Sequence, residues 1–167
     1  MPSQTTFIES SDKTLIEIQL SSSLTRQTQP EAPGIIIAHP YGPLGGSMNN
    51  NVVIELQKYF HSKGYVTACM NFRGCGNSKG RTSWTGMPER EDYISVMNYL
   101  LRLDDNNYPL VNQLILCGYS FGGMIANTID CSVAVRSLPL NLHSLKGNQE
   151  QMIMSYVSMA IKISSQD

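Results

Sequence analysis

The chain has 167 residues, 41% of them hydrophobic, and a formal net charge of −1 at pH 7. That length fits one domain with enough apolar material to fold without staples, and the near-balanced charge argues against a nucleic-acid-binding face or an acidic tail. The four cysteines, Cys69, Cys75, Cys117 and Cys131, form no C-x-x-C pair and have no histidines clustered for zinc, so neither metal nor cofactor is expected.

Residues 1–4 are not followed by an apolar signal segment. The apolar stretch 152–163 is interrupted by Ser, Tyr and Lys and is too short to span a bilayer. The expectation is a soluble cytoplasmic protein without a membrane span, in which Cys69 and Cys117 act as small buried hydrophobes. In chain order, residues 14–20 alternate, Ile16 and Ile18 against Leu15 and Glu17, as a half-exposed strand does. Residues 21–33 are polar, with two prolines, and read as a connecting loop. Residues 35–38 are wholly apolar, the pattern of a parallel strand buried on both faces. Val52, Val53, Leu56, Tyr59 and Phe60 keep helical spacing over residues 52–63, and Gly64 supplies the stop.

Residues 66–72 form the next strand. Pro88 opens a second helix with Glu89, Glu91 and Asp92 at its positive end, and Tyr93, Val96, Met97, Leu100 and Leu103 give it a buried face. Residues 114–117 are another buried strand, followed by a helix over 123–130. Strands alternating with helices predict a doubly wound α/β domain with a mainly parallel sheet. The runs 35–38, 66–70 and 114–117 should lie adjacent and parallel. In such a sheet the loops after the strand C-termini line the ligand crevice. Three loops hold that place here: 39–47, 73–80 and the turn after Cys117, all rich in glycine.

That last turn reads Gly118-Tyr119-Ser120-Phe121-Gly122, a G-x-S-x-G between strand and helix, the context of a nucleophile elbow. Gly118 and Gly122 let the turn be tight enough to hold Ser120 in a strained conformation with its hydroxyl above the sheet. The helix N-terminus then aims N–H groups, beginning with Phe121, at a developing oxyanion. The bland alternative is a tight strand-to-helix turn that happens to contain a serine. A phosphate-cradle reading of loop 73–80 fails on spacing, because Lys79 follows Ser78 and precedes Gly80.

At these three loops the chain resembles the α/β-hydrolase superfamily, in particular its small cap-less serine hydrolases. His39-Pro40-Tyr41-Gly42-Pro43-Leu44-Gly45-Gly46-Ser47-Met48-Asn49 is similar to the oxyanion loop after the third strand of that fold. Asn71-Phe72-Arg73-Gly74-Cys75-Gly76-Asn77-Ser78-Lys79-Gly80 is similar to its R-G-x-G-x-S-x-G turn after the fourth strand. The resemblance covers residues 14–129 and implies Ser120 as nucleophile, with the N–H groups of Phe121 and Tyr41 as oxyanion hole. It implies a structural second loop, with Arg73 tying loops together.

The family order is Ser, then Asp or Glu, then His, on later strands. Only 47 residues follow Ser120, so residues 1–146 read as the N-terminal part of an α/β-hydrolase fold, truncated at its C-terminal side, and 147–167 as a divergent tail. Asp130 lies ten residues along the elbow's own helix, about 15 Å from Ser120 at 1.5 Å per residue. His143 follows Ser120 in the right order, and His39 stands at the right end of its strand; both are weak candidates for the base. His39 is better suited to shaping the oxyanion loop, and His61 to favouring a helix C-terminus.

The function expected is hydrolysis of a small-molecule ester or amide (peptide) bond through Ser120, impaired because the triad Asp and His are not evident. The alternative is a non-catalytic domain that binds a ligand or partner. A sheet edge left open by missing strands is a candidate surface for self-association.

Overall fold

Three buried, predominantly apolar runs are covered on both faces, and they lie side by side at the centre of one sheet. The computed structural model describes residues 3–129 and the backbone of residues 162–165. The elements are β1 (Ser3–Glu9), β2 (Leu15–Ser21), β3 (Glu31–Ala38), a 3-10 turn (Gly42–Leu44), α1 (Asn51–Ser62), β4 (Val66–Met70), α2 (Met87–Leu101), β5 (Leu110–Gly118), α3 (Phe121–Thr128) and β6 (Lys162–Ser165). Strand order is β1-β2-β4-β3-β5-β6. β3 pairs in parallel with β4 on one side and β5 on the other, as expected.

Successive residues of β3 point to opposite faces, and each face has its own core. Ile36 and Ala38 pack with Leu114, Leu116, Tyr93, Val96, Leu100, Ile125 and Ala126, under α2 and α3. Ile35 and Ile37 pack with Ile115, Cys117, Cys69, Val53, Leu56 and Phe60, under α1. Helices therefore cover both faces of the parallel strands, and the sheet has a parallel centre with antiparallel flanks. Cys69 and Cys117 are buried in that core. No described helix is long and apolar enough to cross a membrane.

Several features differ from the sequence expectation, among them β4, which ends at Met70 rather than 72, and β5, which begins at Leu110 rather than 114. β1 was not expected; its outward side chains are mostly exposed, and it is held by antiparallel pairing with β2 from Ser3↔Ser21 to Glu9↔Leu15. β3 begins at Glu31, inside the stretch read as a loop, because residues 31–34 find partners in Leu110–Leu114 across an irregularity at Ala32/Pro33. A proline is tolerated where the ladder is interrupted. β2 is not half-exposed: Glu17 is only 4% exposed. α3 starts at Phe121, two residues earlier than the reading placed it.

In the region read as a tail, residues 162–165 form a strand and pair antiparallel with β5, Gln113↔Ser165 to Leu116↔Lys162. They cover the edge of β5 there. Asp130, His143 and the boundary at 146/147 lie outside the described residues.

Candidate active site

The site grows from the register between two strands. Ala38, the last residue of β3, pairs with Gly118, the last of β5. The loops that leave these strands therefore start side by side, which brings loop 39–47 to the turn that holds Ser120. The Tyr119 N–H donates to the Ala38 carbonyl at 3.0 Å and the Gly122 N–H to the Tyr119 carbonyl at 3.1 Å. Tyr93 anchors the strand below: its hydroxyl donates to the Cys117 carbonyl and accepts the Cys117 N–H, both at 2.9 Å.

Ser120 takes φ 55° and ψ −116°, and is exposed at the strand-to-helix turn. Positive φ in a non-glycine residue is uncommon, and such strain persists only where the surroundings over-determine it. The two glycines are what permit it. A Cβ on Gly118 would stand 2.2–2.5 Å from the backbone of Gly122 and Gly123, and one on Gly122 would stand 2.6–2.7 Å from the backbone of Ala38 and His39. No side chain fits at either position.

The first loop folds back on Tyr41, whose carbonyl accepts the N–H groups of Leu44 and Gly46, each at 3.1 Å. The Tyr41 ring meets the Phe121 ring edge-on, with centroids 5.1 Å apart. Among the described residues, neither the Tyr41 N–H nor the Phe121 N–H donates a hydrogen bond.

His39 is fully buried. Its Nε2 accepts the Phe72 N–H at 3.1 Å, and its Nδ1 faces the Pro40 carbonyl. An acceptor at Nε2 leaves the proton on Nδ1, so the ring is neutral and both nitrogens are engaged. Burial lowers its pKa from 6.5 to about 4, against the opposing pull of the Pro40 carbonyl. This geometry suits the loop-shaping task and leaves no nitrogen for the proton of Ser120.

The second loop wraps around a carboxylate that the sequence reading assigned to a half-exposed strand. Glu17 accepts the Asn71 Nδ2–H at 2.7 Å, the Asn77 N–H at 2.9 Å and the Asn77 Nδ2–H at 2.7 Å. Burial alone would raise its pKa, but these donors outweigh it and hold the carboxyl below its ordinary range. Asn71 passes the order on: its Oδ1 accepts the Met48 N–H at 2.8 Å, which fixes the end of the first loop. Arg73 ties the loops as the resemblance implied, through Asp92 at 2.7 Å and Asp12 at 2.8 Å. Asp92 and Glu89 are fully buried, so they serve as partners for Arg73 and for Ser83 rather than as exposed charges at a helix end. Alternation in β2 carries no signal that would separate a buried Glu17 from a solvated one.

Ser120 has no histidine partner among the described residues. The one hydrogen bond between a serine hydroxyl and a histidine ring among them, Ser21 Oγ with His61 Nδ1 at 2.8 Å, lies at the other end of the sheet with both residues buried. Cys117, three residues before Ser120, does not compete as a nucleophile: burial pushes its thiol up to about 12. Nor do the described residues contain a group of three His, Cys, Asp or Glu that could hold a metal.

Comparison with known proteins fits this architecture. The model of the X-Pro dipeptidyl-peptidase family (S15 family) matches residues 14–134. An uncharacterised protein of Rickettsia prowazekii is 32% identical over 110 residues, 66% of this chain and 44% of that protein. Among solved structures, an α/β serine hydrolase homologue from Coxiella burnetii superposes with a TM-score of 0.64 at 29% identity, covering 77% of this chain and 57% of that one. A protein of unknown function from Agrobacterium tumefaciens, a putative α/β hydrolase, gives a TM-score of 0.61 at 28% identity, covering 74% and 52%. The chain thus spans about half the length of the proteins it matches.

Proposed function

This chain belongs to the X-Pro dipeptidyl-peptidase (S15) family of the α/β-hydrolases, and from that premise we propose that it carries the nucleophile and oxyanion hole of a serine hydrolase acting on a small-molecule ester or amide. The observation that carries the reading is Ser120 itself: exposed, at positive φ, on a turn that no side chain at Gly118 or Gly122 would allow. In the reaction proposed, Ser120 Oγ attacks the carbonyl carbon as its proton passes to a base. The carbonyl oxygen becomes an oxyanion held by the N–H groups of Phe121 and Tyr41. Collapse expels the protonated alcohol or amine and leaves an acyl-enzyme, which water hydrolyses with the proton returning to Ser120. A fixed donor of this kind is worth about 2.7–4 kcal/mol to such a transition state.

Among the described residues Ser120 has no histidine partner to serve as its base. That observation favours a second reading, a non-catalytic domain that binds a ligand or partner through the same loops or through a sheet edge in self-association. The test is mass spectrometry of the purified chain after incubation with excess fluorophosphonate. Slow modification at Ser120, absent in Ser120→Ala, is expected; no adduct would remove the nucleophile reading and leave the second. Ester turnover by the 167-residue chain should be feeble and little changed in Ser120→Ala. Brisk, phosphonate-sensitive turnover lost in that variant would point to a base outside the described residues, with His143 the candidate, and substituting His143 would test it.

A further inference from the structure

Resting on Ser120 as the reacting group, we propose that Trp84, Tyr41 and Phe121 form an aromatic subsite beside it that selects esters or amides carrying an aryl group. Trp84 is 93% exposed, so its ring contributes almost no burial to folding. Yet its loop is built rather than loose. The Ser83 N–H and hydroxyl both donate to the buried Glu89 carboxylate at 2.6 Å, and the Gly86 N–H donates to Ser83 Oγ at 3.0 Å. Gly86, at φ +73°, brings the loop so close to α3 that a Cβ would stand 2.8 Å from Ile125 Cδ1. A rigid loop thus displays a large apolar ring to solvent, close to the elbow.

The rings are continuous. Trp84 lies 6.2 Å from Tyr41, tilted by 48°, and Tyr41 lies 5.1 Å from Phe121 at 61°. Phe121 meets Phe72 at 5.6 Å and Phe72 meets His39 at 5.1 Å, so the outer rings are backed by buried ones. Phe121 follows Ser120 directly, and Tyr41 is the other proposed oxyanion donor. An acyl or leaving group on a carbonyl held there would meet the Tyr41 and Trp84 rings. Leu44, Met87 and Met124, 86%, 61% and 54% exposed, are further exposed apolar side chains on the first loop, α2 and α3. Tilted ring edges and faces suit a further aromatic ring, which gains edge-to-face contacts that a saturated ring of the same size lacks.

Trp84 is the only tryptophan in the chain, so its emission reads the subsite without any turnover. Methyl 3-phenylpropionate is titrated into the full chain carrying Ser120→Ala, with methyl 3-cyclohexylpropionate in parallel. A saturable blue shift is expected with the phenyl ester, at a dissociation constant about threefold or more below that of the cyclohexyl ester. Tyr41→Leu should weaken phenyl-ester binding by a similar factor, with folding checked by circular dichroism, and Tyr41→Phe should retain it. No shift up to the solubility limit, equal affinity for the two esters, or a blue shift that appears with protein concentration alone would overturn the proposal. The last would mean that the rings pack on a second copy. Failure of Ser120 labelling with phenyl-ester binding intact would sink the hydrolase reading instead.

Discussion

Gly122→Ala sets helix propensity against steric fit. Gly122 lies in the first turn of α3, where alanine in an open helix would gain up to about 1 kcal/mol over glycine. The structure argues the reverse sign. The new Cβ would meet the Ala38 carbonyl oxygen at 2.6 Å, its carbon at 2.7 Å and the His39 carbonyl oxygen at 2.7 Å, all backbone atoms at the end of a buried strand. Overpacking typically costs 1–3 kcal/mol, and backbone that cannot swing aside places this site near the upper end, about 3 kcal/mol. The net loss is about 2 kcal/mol, which for a chain of this size lowers the melting temperature by roughly 4–8 °C. Far-UV circular dichroism is the appropriate probe, because the exposed Trp84 reports poorly on unfolding. The displaced carbonyls carry the first loop, so amide exchange at Leu44 and Gly46, which bond Tyr41, should also quicken. A variant melting at or above the parent would refute the steric argument and show that α3 can move off β3.

Ser120→Gly should act oppositely: relieving about 1–3 kcal/mol of strain, less the 0.5–1 kcal/mol of extra chain entropy that glycine loses, raises stability by about 1 kcal/mol in urea unfolding. An unchanged or lower midpoint would mean that Ser120 is unstrained. Glu17→Gln sets an amide N–H against donors and should cost about 1–3 kcal/mol, with faster hydrogen exchange at the Met48 amide; unchanged protection there would mean that Asn71 is held without Glu17. His39 prefers its neutral form when folded, its pKa lowered from 6.5 to about 4. Its contribution is therefore complete above pH 6.5 and is lost as pH falls toward 4, by roughly 3 kcal/mol in all. Melting temperature should fall less between pH 7 and 5 in His39→Gln than in the parent, and parallel slopes would contradict the assignment.

Local sequence determined the elements that depend on local rules. Predominantly apolar runs at 35–38, 66–70 and 114–117 call for burial on both faces, and they become the central parallel strands. Gly118 and Gly122 around Ser120 leave little choice but a tight strand-to-helix turn. Only the tertiary structure decided what depends on partners far along the chain. β1 and the start of β3 are strands because β2 and β5 offer edges to pair with, and their own side chains do not announce it. Glu17 and Asp92 look like surface charges in a linear reading. They are buried because Asn71 and Asn77, 54 and 60 residues away from Glu17, and Arg73, 19 residues from Asp92, satisfy them. Likewise, an exposed Trp84 acquires meaning only from the 6.2 Å that separates it from Tyr41. Periodicity records which way a side chain faces, whereas the compensation of a buried charge or the neighbour of a ring is set by contacts between distant segments.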